Sequence, residues 1–194
     1  MKLKIFITTL VIFFIGTIFV FKNNDGGNVM AESKSNKKVL VAYFSASGTT
    51  AKVADRLSKA IGADLFEIKT VKQYPIDYDE TTVVAQNEHD SDARPEIIEP
   101  LPNISGYDTI IIGHPNWWGT MPKAVMTFLE NYDWSGKKVL SFCTHEGSGM
   151  GSSENDLKRA CKGAEFSKGL PIEGSSANSS DSKVEKWLKE NGLL

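Results

Sequence analysis

Apolar and polar positions along the chain form short continuous apolar runs separated by stretches of helical period. Val39 to Phe44 is uninterrupted and of strand length, the pattern of a strand covered on both faces. After Ser45 to Thr50, positions Val53, Ala54, Leu57, Ala60 and Ile61 fall on one side of a helix that Gly62 stops. Asp64 to Ile68 reads as a second short strand, so the body opens on a βαβ unit with parallel strands and a right-handed crossover. Tyr74-Pro75, Pro95, Pro100 and Pro102 break up the next stretch. They leave room for a helix from Asp79 to Glu88 whose carboxylates form a solvated face. Asp108 to Gly113 is a third buried strand, Pro122 starts a helix with Ala124, Val125, Phe128 and Leu129 inward, and Lys138 to Cys143 is a fourth strand. Glu154 to Cys161 follows as a helix with Leu157, Ala160 and Cys161 inward. Ala164 to Phe166 with Leu170 makes a weaker fifth strand, and Val184, Trp187 and Leu188 form one side of a C-terminal helix. The alternation predicts one doubly wound α/β sandwich, without internal repeat or second domain.

The N-terminus has a different texture. Two lysines lie in Met1 to Lys4, Ile5 to Phe21 is uncharged and almost wholly apolar, and Lys22 to Lys38 is polar. A basic start, an apolar middle and a polar tail are the layout of an export signal, and Val29-Met30-Ala31 places a cleavage point after Ala31. The 17-residue apolar run also reaches the lower limit of a membrane span, about 17–25 residues, so a retained anchor stays open beside a cleaved leader. No charged residue interrupts its faces, which weighs against a buried core helix. No cysteine lies near the cleavage region, so a lipid-modified cysteine is excluded. The expected organisation is residues 1–31 as signal peptide or anchor, 32–37 as linker and 38–194 as the folded domain. That domain would be extracytoplasmic, secreted or held on the outer face of the membrane by residues 5–21, its membrane contact confined to that segment.

Composition narrows the function. Among 194 residues, 41% are hydrophobic and 24% charged, an ordinary globular balance, and the formal net charge is −2. Loss of 1–31 would remove three lysines and one aspartate, leaving 19 basic and 23 acidic residues. That balance excludes a nucleic-acid-binding surface. Cys143 and Cys161 are too few for a disulfide scaffold or a cysteine-rich metal cluster. Export would meet oxidising conditions, yet both cysteines sit at inward positions, which favours two buried thiols over a disulfide.

In a doubly wound sheet, ligands bind beyond the carboxyl ends of the strands, which singles out three reversals: residues 45–50, 114–121 and 144–152. The first carries the hydroxyls of Ser45, Ser47, Thr49 and Thr50 with Gly48 and no charge, and it runs into a helix N-terminus. Free backbone N–H groups and the helix dipole there suit a dianionic phosphate; a plain Ser/Thr N-cap is the structural alternative. It lacks the Gly-Lys-Ser/Thr ending of a Walker loop. The second, His114-Pro115-Asn116-Trp117-Trp118-Gly119-Thr120-Met121-Pro122, offers aromatic rings for stacking on a flat ligand, with two prolines to stiffen it. One of its tryptophans should pack beneath the loop; which one stays open. The third, Thr144-His145-Glu146-Gly147-Ser148-Gly149-Met150-Gly151-Ser152, brings backbone amides close to a ligand but does not fit the dinucleotide spacing G-x-G-x-x-G.

Val39 to Thr50, His114 to Pro122 continued by Ala124 to Glu130, and Ser141 to Gly151 together resemble the flavodoxin family, specifically its short-chain flavodoxin-like branch, over roughly residues 37–190. The resemblance implies a three-layer sandwich around a five-stranded parallel sheet of order 2-1-3-4-5, and one non-covalent FMN. It implies that Ser45, Ser47, Gly48, Thr49 and Thr50 hold the phosphate, that Pro115, Asn116, Trp117, Trp118 and Gly119 flank one side of the isoalloxazine, and that Thr144, His145, Glu146, Gly147, Ser148 and Gly149 line its other side and pyrimidine edge. The usual family loop reads Ser-x-Thr-Gly-Asn-Thr; here Ser47 keeps the hydroxyl of the Thr, and Thr49 replaces the Asn and loses an amide. The long-chain insertion in the last strand is absent, and the export segment is unusual beside cytosolic flavodoxins.

On this reading the flavin carries the chemistry and the protein tunes it: an aromatic wall that excludes water disfavours the charged reduced ring, and backbone N–H groups near its nitrogens favour it. No covalent nucleophile and no metal are expected, and neither His114 nor His145 is required as a base. The sequence contains no G-x-S-x-G elbow for a hydrolase, and Cys143, His145 and His114 match no standard zinc spacing. The expected role is electron transfer with a redox partner protein or a small quinone-like acceptor. A quinone or nitro-compound reductase using NAD(P)H, and a binding module with a degenerate pocket, stay open.

Overall fold

A computed structural model of the chain describes residues 38–100 and 102–194. The expected leader, the linker to residue 37 and the apolar run 5–21 lie outside the described residues. Among the described residues no helix is long and apolar enough to cross a membrane.

The central strands are β1 (Val39–Tyr43), β3 (Thr109–Pro115) and β4 (Lys138–His145), and they are buried almost throughout. Their continuous apolar runs follow from cover on both faces. β2 (Asp64–Glu67) pairs only with β1 and is an edge, with Leu65 exposed. All pairings are parallel, and the order is β2-β1-β3-β4 with the fifth position beside β4. That position is filled twice. β5 (Glu165–Phe166) pairs with the start of β4, and β6 (Leu170–Glu173) with its end. Between them the Gly169 N–H leaves the ladder and donates to Glu154 Oε1 at 2.7 Å. A side chain at Gly169 would meet Ser141 Oγ at 3.1 Å and press on the end of the Met150 side chain, so the interruption favours a small residue. The weak fifth strand foreseen from Ala164 to Leu170 is therefore two short strands.

Alternation along the strands divides the core. Leu40, Ala42, Ile110 and Ile112 face α3 (Lys123–Leu129) and α4 (Ser153–Ala160) with Phe128, Trp134 and Leu157. Val39, Val41, Ile111, Leu140 and Phe142 face α1 (Thr49–Ile61) and α5 (Asp181–Glu190) through Val53, Leu57, Val184, Trp187 and Leu188. Ala60, foreseen on the inner face of α1, is exposed: it lies in the last turn, beside the helix end on left-handed Gly62, while Leu57 and Ile61 still pack on the core. Cys143 and Cys161 are buried free thiols, and burial pushes both up to about 12.

The proline-broken stretch is a strapped excursion. Thr70 and Ile97 form an antiparallel bridge, Val71 N–H donates to Glu96 O at 2.9 Å, and Ile98 N–H to Lys69 O at 2.8 Å. The excursion carries α2 (Tyr78–Asp90), capped by Asp77, whose carboxylate accepts from Glu80 N–H at 3.0 Å. α2 runs a residue or two beyond each expected end, and of its side chains only Ala85 is buried. Its acidic side chains are solvated as expected except Glu88, which is partly buried and accepts from the Tyr74 hydroxyl at 2.7 Å.

Candidate functional site

Parallel strands of similar register end on one rim, and the reversals after β1, β3 and β4 meet there. Asn116 joins the second reversal to the third. Its backbone N–H donates to Thr144 O at 2.8 Å, its amide Nδ2 to Gly149 O at 2.9 Å, and its Oδ1 accepts from Gly119 N–H at 3.0 Å. Ser152 N–H donates back to Gly119 O at 2.8 Å. Gly151 packs so closely here that a Cβ would overlap Gly119 O. Thr50 and Thr144 tie the first reversal to the third, their buried hydroxyls 2.7 Å apart. Glu146 closes the far side: its carboxylate lies against Gly174, where a side chain would also reach the Thr49 methyl.

The first reversal fits an anion. Gly48 holds φ +83 in front of α1, a conformation that favours glycine, and a Cβ there would point into open space. Ser45 Oγ accepts from Ala51 N–H at 3.2 Å, and Ser47 and Thr49 pair their hydroxyls at 3.2 Å. Lys52 N–H reaches Gly48 O. Among the described residues, the N–H groups of Ser47, Gly48, Thr49 and Thr50 have no partner. Four free donors at the positive end of a 13-residue helix form an anion cradle.

The second reversal turns sharply. Trp117 and Thr120 exchange backbone bonds of 2.8 and 3.1 Å around Trp118 (φ +51) and Gly119 (φ +80), the two positive dihedrals of a type I′ turn. Glycine adopts that conformation freely and a tryptophan does so at a cost, so Trp118 is held against its own preference, as residues at ligand sites often are. The tryptophans part as expected, and the structure decides which is which. Trp117 turns inward, edge-on to Tyr74 at 5.0 Å and to Phe44 at 5.4 Å. Trp118 stays exposed, its indole N–H donating to Thr82 O on α2 at 3.1 Å. Pro115 ends β3 half-buried.

In the third reversal His145 Nδ1 accepts from Gly147 N–H at 3.0 Å, and Glu146, Gly147 and Ser148 are exposed. Beneath it lies a polar layer. Asp156 accepts from the Thr120 hydroxyl, from Ser152 Oγ at 2.9 Å and from Arg159. Burial works to raise its carboxyl, yet those hydrogen bonds and the Arg159 charge together hold it below the ordinary range. His114 is fully buried; its Nδ1 meets Pro115 O at 3.1 Å, and Nε2 has no partner among the described residues. Burial drives its pKa down to about 4, against smaller opposing contributions from the Pro115 carbonyl and Asp156.

Two features of this rim escaped the sequence reading. A fourth reversal, Gly174–Ser179, follows β6 and is pinned by Arg56 of α1, which donates to Ala177 O, Ser180 Oγ and Asn178 O and pairs with Asp181. With the third reversal it borders an open cleft of about 480 Å³ lined by His145, Gly149, Ser176, Ser180 and Lys183. The run Gly-Ser-Ser-Ala-Asn-Ser-Ser after the last strand was the available signal. Tyr74, the other feature, had none: it reaches Trp117 only because the Thr70–Ile97 bridge folds the excursion back.

An anion cradle at the first crossover helix, beside an aromatic turn and a glycine-rich reversal on the same rim, defines a nucleotide-binding protein of the doubly wound class. The chain belongs to the flavodoxin family, whose model matches residues 38–191. Among solved structures it is similar to a candidate flavoprotein of Bacteroides eggerthii, at 34% identity and a TM-score of 0.69 over 80% of this chain and 98% of that one. A flavoprotein of Lactobacillus acidophilus in complex with FMN is 28% identical, with a TM-score of 0.62, over 78% of this chain and 98% of that one. No curated protein matches the chain.

Proposed function

We propose that the chain binds FMN without a covalent bond at this rim and serves in electron transfer outside the cytoplasm. The observation that carries the reading is the set of four unpartnered N–H groups at Ser47 to Thr50, fixed to the same rim as Trp117, Trp118 and the third reversal by the Thr50–Thr144 and Asn116 hydrogen bonds. Family membership and the FMN complex of the Lactobacillus acidophilus flavoprotein support it. FMN, when bound, supplies reversible electron transfer. The chain supplies the rest. The amides and hydroxyls of the first reversal hold the phosphate, and Asn116 fixes the spacing of the two reversals that flank the ring. Trp117 keeps water from one side, and the exposed Trp118 marks the edge open to a partner. The basic, apolar and polar blocks of residues 1–38 support export or anchoring.

Mixing the purified protein with FMN tests the cofactor. The expected result is a flavin spectrum that stays with the protein through gel filtration; a protein left colourless in excess FMN overturns the reading. Rapid bleaching of the loaded protein by NADPH would move it from carrier to reductase. Detection of the domain in the cytoplasm alone would overturn the export proposal.

A further inference from the structure

α1 and α2 are each 13 residues long, yet α1 buries four side chains and α2 only Ala85. Part of the inner face of α2 borders a half-open pocket of about 440 Å³ instead of packed atoms. Val84 and Glu88, one turn apart on the helix, line it together with Tyr74 and Pro75 of the outgoing limb of the excursion and Ala93 and Pro95 of the returning limb. Hydrogen bonds fix all three limbs. Thr81 Oγ1 donates to Pro75 O at 2.7 Å, the Tyr74 hydroxyl to Glu88 Oε2 at 2.7 Å, and Thr127 Oγ1 of α3 to Pro95 O at 2.9 Å, while the Thr70–Ile97 bridge straps the base. A preformed recess with apolar walls and a few polar groups marks a small-molecule site, and the rings of Tyr74 and the two prolines suit a flat apolar occupant.

The polar groups select the charge of that occupant. Glu88 Oε2 is taken by Tyr74, whereas among the described residues Oε1 has no hydrogen-bond partner and no cation pairs with the carboxylate. Burial raises the Glu88 carboxyl above its ordinary range, against smaller opposing effects of the Tyr74 hydroxyl and the Lys72 charge. Of the other charges lining the pocket, Arg94 already holds Glu130 at 2.8 Å and Asp92 at 2.9 Å, and Glu96 is exposed. An anionic ligand would therefore meet two carboxylates and no free guanidinium. An ammonium would give up its water for one carboxylate whose setting already disfavours charge, with Lys72 nearby. A neutral hydroxyl needs only to donate one hydrogen bond to the free oxygen of Glu88.

We propose that this pocket under α2 binds a small neutral aryl alcohol, of the phenol class, with its ring against Tyr74 and the two prolines and its hydroxyl donating to Glu88 Oε1. The site is distinct from the rim assigned to FMN and does not depend on that assignment. Tyr74 links the two, because the ring that walls the pocket also meets Trp117 edge-on at 5.0 Å.

2-Naphthol is the probe, with 2-naphthoate and 2-naphthylmethylammonium as charged compounds built on the same ring. Binding to the full chain, with and without FMN, is measured by calorimetry, and tyrosine ring-proton shifts report contact with Tyr74. The expected result is one saturable site that takes naphthol more tightly than either ion, moves the Tyr74 resonances and is unaffected by FMN. Glu88→Gln, which still accepts from Tyr74 but removes the charge, should weaken naphthol by about tenfold, the ordinary worth of a hydrogen bond to a charged acceptor. Val84→Phe, which fills the pocket from α2, should abolish binding. Far-UV circular dichroism checks that each variant folds, and if Val84→Phe does not, Glu88→Gln and the Tyr74 shifts of the parent decide. No saturable binding, tighter binding of either ion, unmoved Tyr74 resonances, or parental affinity in either folded variant overturns the proposal. Displacement of naphthol by FMN would place the probe at the rim and equally overturn it. Failure of FMN to bind while naphthol does would sink the cofactor reading alone.

Discussion

Acidification should loosen this protein through one imidazole. His114 is fully buried under the second reversal, with an unpartnered Nε2, and burial holds its pKa at about 4 against an ordinary 6.5. In the unfolded chain the ring takes a proton near the ordinary value, and in the native protein it refuses one until pH 4. Between those limits the unfolded state binds the extra proton, so stability is full above about 6.5 and falls as the pH drops. The whole window corresponds to about 3 kcal/mol, and the part between pH 7.5 and pH 5.0 to about 2 kcal/mol, a large fraction of an ordinary domain's stability. Denaturant unfolding at the two pH values checks it. Other groups titrate as well, so the quantity of interest is the difference between the parent and His114→Met, which removes the titration at comparable bulk. The parent should lose about 2 kcal/mol more than the variant. Should the variant fail to fold, the ring-proton shifts of the parent report the same quantity directly, because the chain has only three histidines. An equal loss in both proteins, or a His114 ring that titrates near 6.5, would refute the reasoning.

Two further outcomes concern the rim, and a third the core. Gly151→Ala drives a Cβ into Gly119 O at a φ of +54; it should cost about 2 kcal/mol or more in thermal or denaturant unfolding and weaken FMN binding through the displaced second reversal. Thr50→Val strands the buried Thr144 hydroxyl; a stability loss of about 1–3 kcal/mol is expected, with weaker FMN binding by equilibrium titration, and unchanged affinity would place the phosphate elsewhere. Cys143 and Cys161, with thiols pushed up to about 12, should react with a thiol reagent at pH 8 only as fast as the protein unfolds, and at once in denaturant. Native reaction, or thiols that appear only after reduction, would contradict the buried free pair.

What the sequence made legible follows a physical dividing line. β1, β3 and β4 could be read because strands covered on both faces must be apolar along their whole length, and α1 and α5 because a helix lying on the sheet repeats its apolar positions every three or four residues. The three reversals were legible for a related reason: a doubly wound sheet sends its crossover loops to one rim, so their composition can be read for ligand chemistry before any contact is known. The hidden features depend on meetings across long sequence distances. The break between β5 and β6 rests on Glu154 reaching Gly169, and the inward turn of Trp117, rather than Trp118, rests on Tyr74 and Phe44 arriving beneath it. Thr50 shows the same division within one residue. Its type and position read as a phosphate ligand, and its hydroxyl also bonds Thr144, 94 residues away, which makes it a tie between two reversals as well. On the FMN reading, the phosphate would rest chiefly on the backbone N–H groups from Ser47 to Thr50. They are donors that every sequence possesses and that only a helix start leaves free, so the fold makes this site as much as the residue types do.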